Sequence, residues 1–268
     1  MLVADQASYP RHITWPIRPD LPNPLADRLS RFVELDQEEI DALGRLSRRT
    51  RKFRVNETLV DQQSNPNTVC LMLTGVAYRY RFLSDGRRQI FGYLLAGDLC
   101  DTEFLISNHC DHSVGLLCDS EVAMIPTLKL MEMMVAYPRI ERALLTAATV
   151  ETAIMREWLL NMGQRDAIQK LAHFLCEMSA RLGSISDVDS DGSFAIPITQ
   201  IELADTIGLT PVHVNRSLQR LRRQGVLCWS RRRLTIINRQ VLELIADFDD
   251  TYLRLRPEQS VPKLCAYG

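Results

Sequence analysis

The sequence predicts an α+β protein in which a β-sandwich or β-barrel is followed by a long helix and a winged helix-turn-helix. Three observations predict this order. Short β-rich runs separated by glycine-containing turns fill residues 54–126. No helix breaker occurs between Pro138 and Gly163, so this stretch can form one helix of about six to seven turns. An arginine-rich amphipathic segment at 210–225 then follows a helix-starting motif.

Composition limits the class of protein. The chain has 268 residues, 46% of them hydrophobic and 24% charged, enough for one large domain or two ordinary ones with buried cores. No apolar run approaches the ~18 residues of a membrane span, and the N-terminus carries no basic-then-apolar secretion signal. Seven cysteines lie between Cys70 and Cys265 without CxxC spacing, which favours reduced thiols over disulfides or a zinc finger. We therefore expect a cytoplasmic globular protein without membrane association.

Positive charge is concentrated in one region. The formal net charge is −1, yet residues 206–242 contain eight arginines and no acid, while the preceding stretch "SDVDSDG" at 186–192 is acidic. A solvated basic face is the simpler explanation of a charge run. The helix-starting and turn residues around these arginines instead favour a local site for a polyanion.

Shifts in composition divide the chain into four parts. Residues 1–24 contain five prolines and little apolar periodicity, and we expect a disordered arm there. Residues 25–136 begin with a helical pattern, continue with the β-rich runs and are taken as one domain. Residues 137–163 form the long helix, and residues 164–268 form the domain that contains the arginine-rich segment.

The long helix carries two neighbouring stripes. The first contains Ile140, Leu144, Ala147, Glu151, Ile154, Trp158 and Asn161, and the second contains Leu145, Ala148, Thr152, Met155, Leu159 and Met162. One stripe can pack on the protein's own β-structure and leave the other for a partner helix, which predicts a homodimer. The alternative is a wide apolar face buried within one subunit.

The helix-turn-helix is predicted from its end signals. Thr199 and Glu202 have the spacing of a capping box, which starts a helix that runs to Gly208. A short turn follows, Thr210 supplies a second N-cap, and Pro211 occupies the first helical position. Two helices joined by so short a turn form a helix-turn-helix.

The second helix of this motif has an apolar face and a polar face. Steps of about 100° per residue place Val214, Leu218 and Leu221 on the inward face. The residues predicted to contact DNA are Thr210, Val212, His213, Asn215, Arg216, Gln219, Arg220 and Arg223. Arginine can bind guanine, asparagine or glutamine can bind adenine, and valine can contact a thymine methyl in the major groove. We expect the first turns to read bases and the later arginines to contact phosphate.

A basic wing is predicted downstream. The segment "GVLCWSRRRLTIIN" reads as two strands around a basic turn. Arg231 and Arg232 in this turn are expected to hold the neighbouring phosphate backbone. Double-stranded DNA then supplies the counterions of the arginine-rich region, and release of its bound cations drives association.

This order of parts resembles the Crp/Fnr (cyclic-AMP receptor and Fnr) superfamily of bacterial transcription regulators. The resemblance covers residues 30 to about 240 and depends on "LMLTGVAYRY", "SDGRR", "LLAGDLCDTEFLI", "DHSVGLLCDSEVAMIP", "QKLAHFLCEM" and "ITQIELADTIGLTPVHVNRSLQRL". It implies an N-terminal cyclic-nucleotide-binding-like β-roll with turns at Gly75, Gly86 and Gly97, a long dimerisation helix and a C-terminal winged helix-turn-helix. It also implies that Arg216 reads a guanine.

The effector pocket implied by the resemblance departs from that of the cyclic-AMP receptors. Those receptors hold the ribose with a glutamate and the cyclic phosphate with an Arg-Ser pair, and a Thr-Ser pair meets the base. The corresponding positions here are Thr102, with Glu103 beside it, His112, Ser113, Met155 and Arg156. A neutral imidazole is a poor replacement for a guanidinium that faces phosphate. We therefore expect that cyclic AMP is not the effector.

No metal cofactor is expected. Fnr-type oxygen sensors carry N-terminal cysteines for an iron–sulfur cluster, and here no cysteine precedes Cys70. The run "HCDH" at 109–112 contains metal-binding residue types near Cys100 and Cys118, but adjacent residues on an extended turn rarely converge on one ion. Redox sensing by Cys110 or Cys118 stays open beside the simpler interpretation as loop and core cysteines.

These observations predict a homodimeric transcription regulator that binds an inverted-repeat operator and responds to an unidentified signal at the β-roll. RNA polymerase is a further expected partner if the protein is an activator. Many members read cytosine with a glutamate that Val212 replaces here, so the family's usual operator is not assumed. The alternative is an effector-binding module that acts through protein partners and whose winged helix does not bind DNA. No Walker loop, HExxH, GxSxG or paired glycine-rich dinucleotide turn is present, and we expect no enzyme.

Overall fold

The structure, a computed structural model, describes residues 23–62, 64, 67–100, 102, 110–185, 193–230 and 232–255. The predictions on the arm up to residue 22, Glu103, His109, the acidic loop 186–192, Arg231 and Cys265 lie outside these residues. Among the helices that are described, none combines the length and the apolar character needed to cross a membrane.

Two short helices open the described chain. Helix α1 spans Pro24–Ser30 and helix α2 spans Gln37–Leu46. The Asn23 side chain accepts hydrogen bonds from the first backbone amides of α1, so this helix begins at the last residue of the predicted arm. A capping box of Asp36 and Glu39 starts α2. The single helical pattern of the sequence is therefore two helices.

Within the described residues, eight strands build the β-roll that the sequence predicts as a sandwich or barrel. They are β1 (Thr50–Phe53), β2 (Thr58–Val60), β3 (Thr68–Thr74), β4 (Ala77–Phe82), β5 (Arg88–Leu94), β6 (Leu99–Cys100), β7 (Ser113–Leu116) and β8 (Ser120–Pro126). They form two four-stranded sheets in the orders β1-β8-β3-β6 and β2-β7-β4-β5, with antiparallel pairs throughout. Side chains such as Leu71, Val114 and Ile125 fill the space between the sheets without exposure to solvent.

The glycines at the predicted turns adopt positive φ angles. Gly75, Gly86 and Gly97 have φ values of 90°, 84° and 90°. At Gly97 space is also restricted, because an added Cβ would lie 2.6 Å from the carbonyl oxygen of Pro24. This close approach seats α1 against the turn that leads into β6.

The long helix is confirmed as one element. Helix α3 spans Thr127–Ala136, and helix α4 spans Pro138–Gln164, with Pro138 at its first position. Most of the first stripe is buried in the chain's own fold, namely Ile140, Leu144, Ile154, Trp158 and Asn161. Three large apolar side chains of the second stripe face solvent, with 57% of Leu145, 59% of Met155 and 75% of Leu159 exposed, whereas Met162 at its end is half-buried beside Gly208. A single chain therefore covers only one of the two predicted stripes.

The described C-terminal part contains four α-helices and a small sheet. Its elements are α5 (Ala167–Gly183), β9 (Ser193–Ala195), α6 (Gln200–Ile207), α7 (Pro211–Arg223), β10 (Leu227–Ser230), β11 (Arg233–Ile236), α8 (Arg239–Ala246) and a 3₁₀ turn (Thr251–Leu253). The strand order is β10-β11-β9. The two wing strands are predicted from the sequence, but β9 is not, because only three residues between a polar loop and Pro197 form it.

A buried polar network joins these parts. Arg181 of α5 donates to Asp98 at 3.2 Å and to Glu177 at 3.5 Å, and Arg28 of α1 pairs with the same Asp98. Glu177 accepts from the indole of Trp158 and from the hydroxyl of Tyr252, each at 2.9 Å. Burial raises the pKa of Glu177, and Arg181 opposes that rise. One network of ion pairs and hydrogen bonds therefore connects helices α1, α4 and α5, the turn before β6 and the end of the described chain.

His173 of α5 makes acid sensitivity predictable. The ring is 1% exposed, stacks on Tyr252, and lies 3.1 Å from the carboxylate of Glu157, which Arg165 already binds at 2.7 Å. Burial, with the nearby Arg165, lowers the pKa of His173 from 6.5 to about 3. Between pH 6.5 and about pH 3 the unfolded chain binds a proton at His173 that the folded chain does not bind. The free energy of unfolding therefore falls by about 1.4 kcal/mol for each pH unit of acidification below pH 6.5.

We expect the variant His173→Gln to lose less stability than the parent on acidification. Denaturant unfolding at about pH 7.5 and about pH 4.5 should show a difference in this loss of about 2–3 kcal/mol. The exposed His213 provides a control, since His213→Gln should lose as much stability on acidification as the parent does. Equal acid sensitivity of His173→Gln and the parent would contradict a neutral buried imidazole.

Candidate nucleic-acid interface

The helix-turn-helix has the end signals that the sequence predicts. The Thr199 hydroxyl accepts from the Glu202 amide at 3.2 Å, and the Glu202 carboxylate accepts from the Thr199 amide at 2.7 Å. Helix α6 ends at Gly208, whose φ of 65° closes the turn in the left-handed region. The Thr210 hydroxyl accepts from the His213 amide at 3.3 Å, and Pro211 is the first residue of α7. The capping predictions are confirmed.

Helix α7 presents its polar face to solvent. Val214, Leu218 and Leu221 are 0–2% exposed and hold the helix on the core, as predicted. The residues exposed on the other side are Thr210, Val212, His213, Arg216, Gln219, Arg220 and Arg223. Asn215 is half-buried, donates to the Gln200 side chain at 3.2 Å and accepts from the Gln219 amide at 2.8 Å. Asn215 thereby orients Gln219 on the outer face.

The charges on this face are free to meet an external anion. Arg216, Arg220 and Arg223 form no ion pair with any carboxylate of the described part of the chain. Arg222, by contrast, donates to the carbonyl of Trp229 and fastens α7 to the wing. The surface has the charge and the helical shape that a DNA groove accommodates.

The wing lies beside this helix. Strands β10 and β11 pair from Leu227 with Ile236 to Ser230 with Arg233. Arg232 stands at their turn with a φ of 62°. Arg233 is held by the hydroxyl of Ser193 at 2.7 Å, so β9 braces the wing from the other side.

A cavity of about 240 Å³ lies between the β-roll and α4. Of the predicted effector residues, Thr102, His112 and Met155 line it. Ser113 and Arg156 are not among the lining residues: the Ser113 hydroxyl accepts from the Gln62 amide at 3.0 Å, and Arg156 is exposed on α4.

The charged groups of this cavity include residues that the sequence analysis missed. Arg79 of β4 pairs with Glu151 of α4 at 3.3 Å, and Arg181 belongs to the buried network described above. Glu151 has a sequence signal, because it is an acid in an otherwise mostly apolar inward stripe; Arg79 has none beyond its place in a strand. Both lining guanidiniums are already bound by carboxylates, and His112 pairs with Asp111 at 2.5 Å.

The cavity wall connects directly to the helix-turn-helix. Tyr93 of β5 lines the cavity, and its hydroxyl bonds the Thr206 hydroxyl of α6 at 2.7 Å in a buried contact. Arg88 pairs with Asp205 at 2.8 Å, and Gln89 donates to the Thr206 carbonyl at 3.2 Å. One strand of the β-roll therefore touches both the cavity and the first helix of the motif.

Cys110 and Cys118, the two cysteines considered for redox sensing, are buried. Cys110 and Cys118 are 1% and 6% exposed, and burial raises the pKa of the Cys118 thiol. Within the ranges that the structure covers, no three His, Cys, Asp or Glu side chains are grouped as metal ligands would be.

Comparison with known proteins adds two family matches. Residues 50–137 match the cyclic nucleotide-binding domain family, and residues 169–245 match the Crp-like helix-turn-helix domain family. The chain is 30% identical to a probable transcriptional activator of Rhizobium leguminosarum bv. viciae over 72% of this chain and 78% of the relative. It is 28% identical to the transcriptional activator protein FnrL of Cereibacter sphaeroides over 80% of this chain and 87% of the relative. The solved structure of FixK2 from Bradyrhizobium japonicum is similar, with a TM-score of 0.65 and 26% identity over 73% of this chain and 96% of that one.

Proposed function

The chain belongs to the Crp/Fnr family of DNA-binding transcription regulators, which are not enzymes, and from that premise we propose that it acts as a homodimer on an inverted-repeat operator. One observation carries the proposal: the polar face of α7 is exposed, cationic and without ion pairs among the described residues. Each subunit would place this face in a major groove, with half-sites one helical turn, about 34 Å, apart.

Within each half-site we assign distinct roles to the side chains of α7 and the wing. Arg216 reads a guanine, and Val212, His213, Asn215 and Gln219 contact neighbouring base edges. The residues assigned to phosphate are Thr210, Arg220, Arg223, Arg231 and Arg232. Asn215 supports this division, because its bonds to Gln200 and Gln219 orient a second base-reading side chain.

The second stripe of α4 is the proposed dimer contact. Leu145, Met155 and Leu159 are more than half exposed in the single chain, and large exposed side chains in a row are typical of a helix that pairs with a copy of itself. In this arrangement the β-roll domain, residues 25–136, senses the signal, residues 137–163 pair the subunits, and residues 164–268 bind DNA. The expected location is the cytoplasm, with RNA polymerase as a further partner of an activator.

We propose that β5 transmits the effect of effector binding to the DNA-binding domain. A small effector in the cavity would contact Tyr93, whose hydroxyl holds Thr206 of α6, and would shift the population of two arrangements of the DNA-binding domain. The occupied guanidiniums of the cavity favour an effector other than a cyclic nucleotide.

Salt-titrated selection of fragments from the host genome tests the function. The protein should retain a subset of fragments that share an inverted repeat, with an affinity that falls steeply as salt rises. Folded protein without any salt-dependent affinity for DNA would instead support a module that acts through protein partners.

The contact between Tyr93 and Thr206 should be measurable in stability. Tyr93→Phe removes a buried hydrogen bond and should lower the free energy of unfolding by about 1 kcal/mol. A double-mutant cycle with Thr206→Val, followed by denaturant titration, should give a coupling energy of about 0.5–1.5 kcal/mol. Lys129 and Glu132, an exposed pair at 2.8 Å, provide the control cycle, for which we expect at most a few tenths of a kcal/mol. If the effects of the Tyr93 and Thr206 variants were additive, this hydrogen bond would not be part of the proposed gating mechanism.

A further inference from the structure

The chain continues past α8 in a short segment that turns back towards the long helix. Asp247 ends α8 with a φ of 48°, and the 3₁₀ turn Thr251–Leu253 follows. The Asp249 carboxylate accepts from the Thr251 amide at 2.7 Å and so fixes the start of this turn. The segment lies beyond residue 245, where the match to the helix-turn-helix domain family ends. We call residues 247–255 the C-terminal clasp.

One side of the C-terminal clasp is attached to α5. The Tyr252 hydroxyl donates to the carboxylate of Glu177 at 2.9 Å, and the Tyr252 ring stacks on His173. Phe248 meets the same imidazole edge-on, with 5.3 Å between the ring centroids. Because Glu177 and His173 are both buried residues of α5, these contacts fix the C-terminal clasp to the DNA-binding domain.

The other side of the C-terminal clasp reaches α4 and the β-roll. Leu253 is 3% exposed and belongs to the same apolar cluster as Val150 and Ile154 of α4. Leu253 and Leu255 also line a small crevice together with Leu95, which directly follows β5. Burial of these apolar side chains stabilises the contact. The C-terminal clasp therefore connects the DNA-binding domain to the long helix at a point well before the end of that helix.

The C-terminal clasp also bonds the junction between α4 and α5. Arg165 follows the last residue of α4 and has an extended backbone, so the chain changes direction there. Its guanidinium is 8% exposed and donates to the Glu157 carboxylate at 2.7 Å and to the Asp247 carbonyl at 3.3 Å. A rotation of α5 about this junction would pull Leu253 out of its contact with α4. The contacts of α6 with β5 hold the DNA-binding domain at a second point.

We propose that the C-terminal clasp fixes the DNA-binding domain on α4 and thereby sets the half-site spacing that the dimer accepts. The inference rests on the proposed function, in which each subunit places one α7 in a half-site. Two recognition helices that are held rigidly fit one separation and one rotation of the half-sites, whereas loosely held helices adapt to several. Tyr252 and Leu253 are positioning residues, because they act on DNA through the placement of α7.

Competition between two duplexes tests the proposal on the full chain. One duplex carries the selected operator, and the other has one base pair inserted between the half-sites, which moves them apart by about 3.4 Å and rotates them by about 35°. The variant Tyr252→Ala/Leu253→Ala should reduce the preference for the selected operator by about tenfold or more. Tyr252→Phe keeps the ring and loses the hydrogen bond, and should reduce it by about twofold to fivefold.

This measurement separates positioning from a general loss of stability. The preference is a ratio of two affinities in one sample, so a smaller folded fraction alone leaves it unchanged. Leu242→Ala is the matched control, because Leu242 is fully buried in α8, outside the C-terminal clasp. It should keep the parent's preference within about twofold. The proposal is overturned if Tyr252→Ala/Leu253→Ala keeps the parent's preference, or if Leu242→Ala loses as much of it.

Hydrogen exchange of the free protein tests the C-terminal clasp without DNA. In Tyr252→Ala/Leu253→Ala the amides of residues 161–168, around the junction, should exchange about tenfold or more faster than in the parent. The amides of β5 should exchange at the parent's rate. Equal exchange at the junction in both proteins would overturn the proposal even if both bind the operator. Faster exchange there in a protein that binds no DNA would contradict the proposed function, while the restraint by the C-terminal clasp would stand.

Discussion

Replacing Arg216 with alanine should weaken binding of the dimer to the selected operator by about thirtyfold or more, because the contact is lost in both half-sites. Arg216 is exposed on the outer face of α7 and pairs with no described carboxylate, so its guanidinium can engage the two acceptors of a guanine. Removal of such a bidentate contact costs about 1–3 kcal/mol in each half-site. Affinity for random DNA should fall far less, because the remaining arginines keep most phosphate contacts. Titrations of operator and random duplexes at fixed salt measure both effects.

Arg223→Ala is the matched control for base reading. Arg223 is exposed near the end of the same helix and should contact phosphate, so its removal should weaken operator and random DNA by similar factors. The salt dependence of binding should become shallower by about one unit of slope for each phosphate that the protein no longer neutralises. If Arg216→Ala behaved like Arg223→Ala, the assignment of base reading to Arg216 would be wrong.

Replacing Leu159 with glutamate should separate the subunits. Leu159 is 75% exposed in the single chain and lies in the second stripe of α4 beside Met155. In the proposed dimer two carboxylates would enter an apolar seam without partners, and we expect the dimer dissociation constant to rise by about a hundredfold or more. Sedimentation equilibrium measures this change. Operator affinity should fall with it, because a lone subunit contacts only one half-site.

Leu244 provides the control for that experiment. It is 82% exposed on α8, so Leu244→Glu adds the same charge at another exposed leucine. We expect this variant to dimerise like the parent. A parent chain that sediments as single subunits at every concentration would contradict the homodimer, whatever the two variants do.

Local signals made the helix-turn-helix predictable. Three signals each indicate one kind of helix end, and the structure confirms them: the Thr199–Glu202 capping box, Gly208, and Thr210 with Pro211. The same holds for α4, where the absence of a breaker and the spacing of apolar residues define the helix and its inward stripe. These features depend on residues close in sequence.

Contacts between distant residues were not predictable from one sequence. Arg79 and Glu151 are 72 residues apart, and Tyr93 and Thr206 are 113 residues apart, so no periodicity or spacing joins them. The break between α1 and α2 has a different cause, because it depends on a local signal: Asp36 becomes an N-cap within an otherwise helical pattern. Strand β9 depends on pairing with β11, which lies about forty residues later in the chain.

The buried charges of Asp98, Glu177 and Arg181 limit how this protein can evolve. Loss of any one member leaves another charge uncompensated in the interior, which costs about 3–5 kcal/mol and is a large part of a domain's stability. These three residues are therefore expected to be substituted together. If they are replaced by apolar residues one at a time, the protein must pass through a destabilised intermediate. Positions 98, 177 and 181 should covary among descendants of this chain, while the exposed residues of α7 remain free to change one at a time as operators diverge.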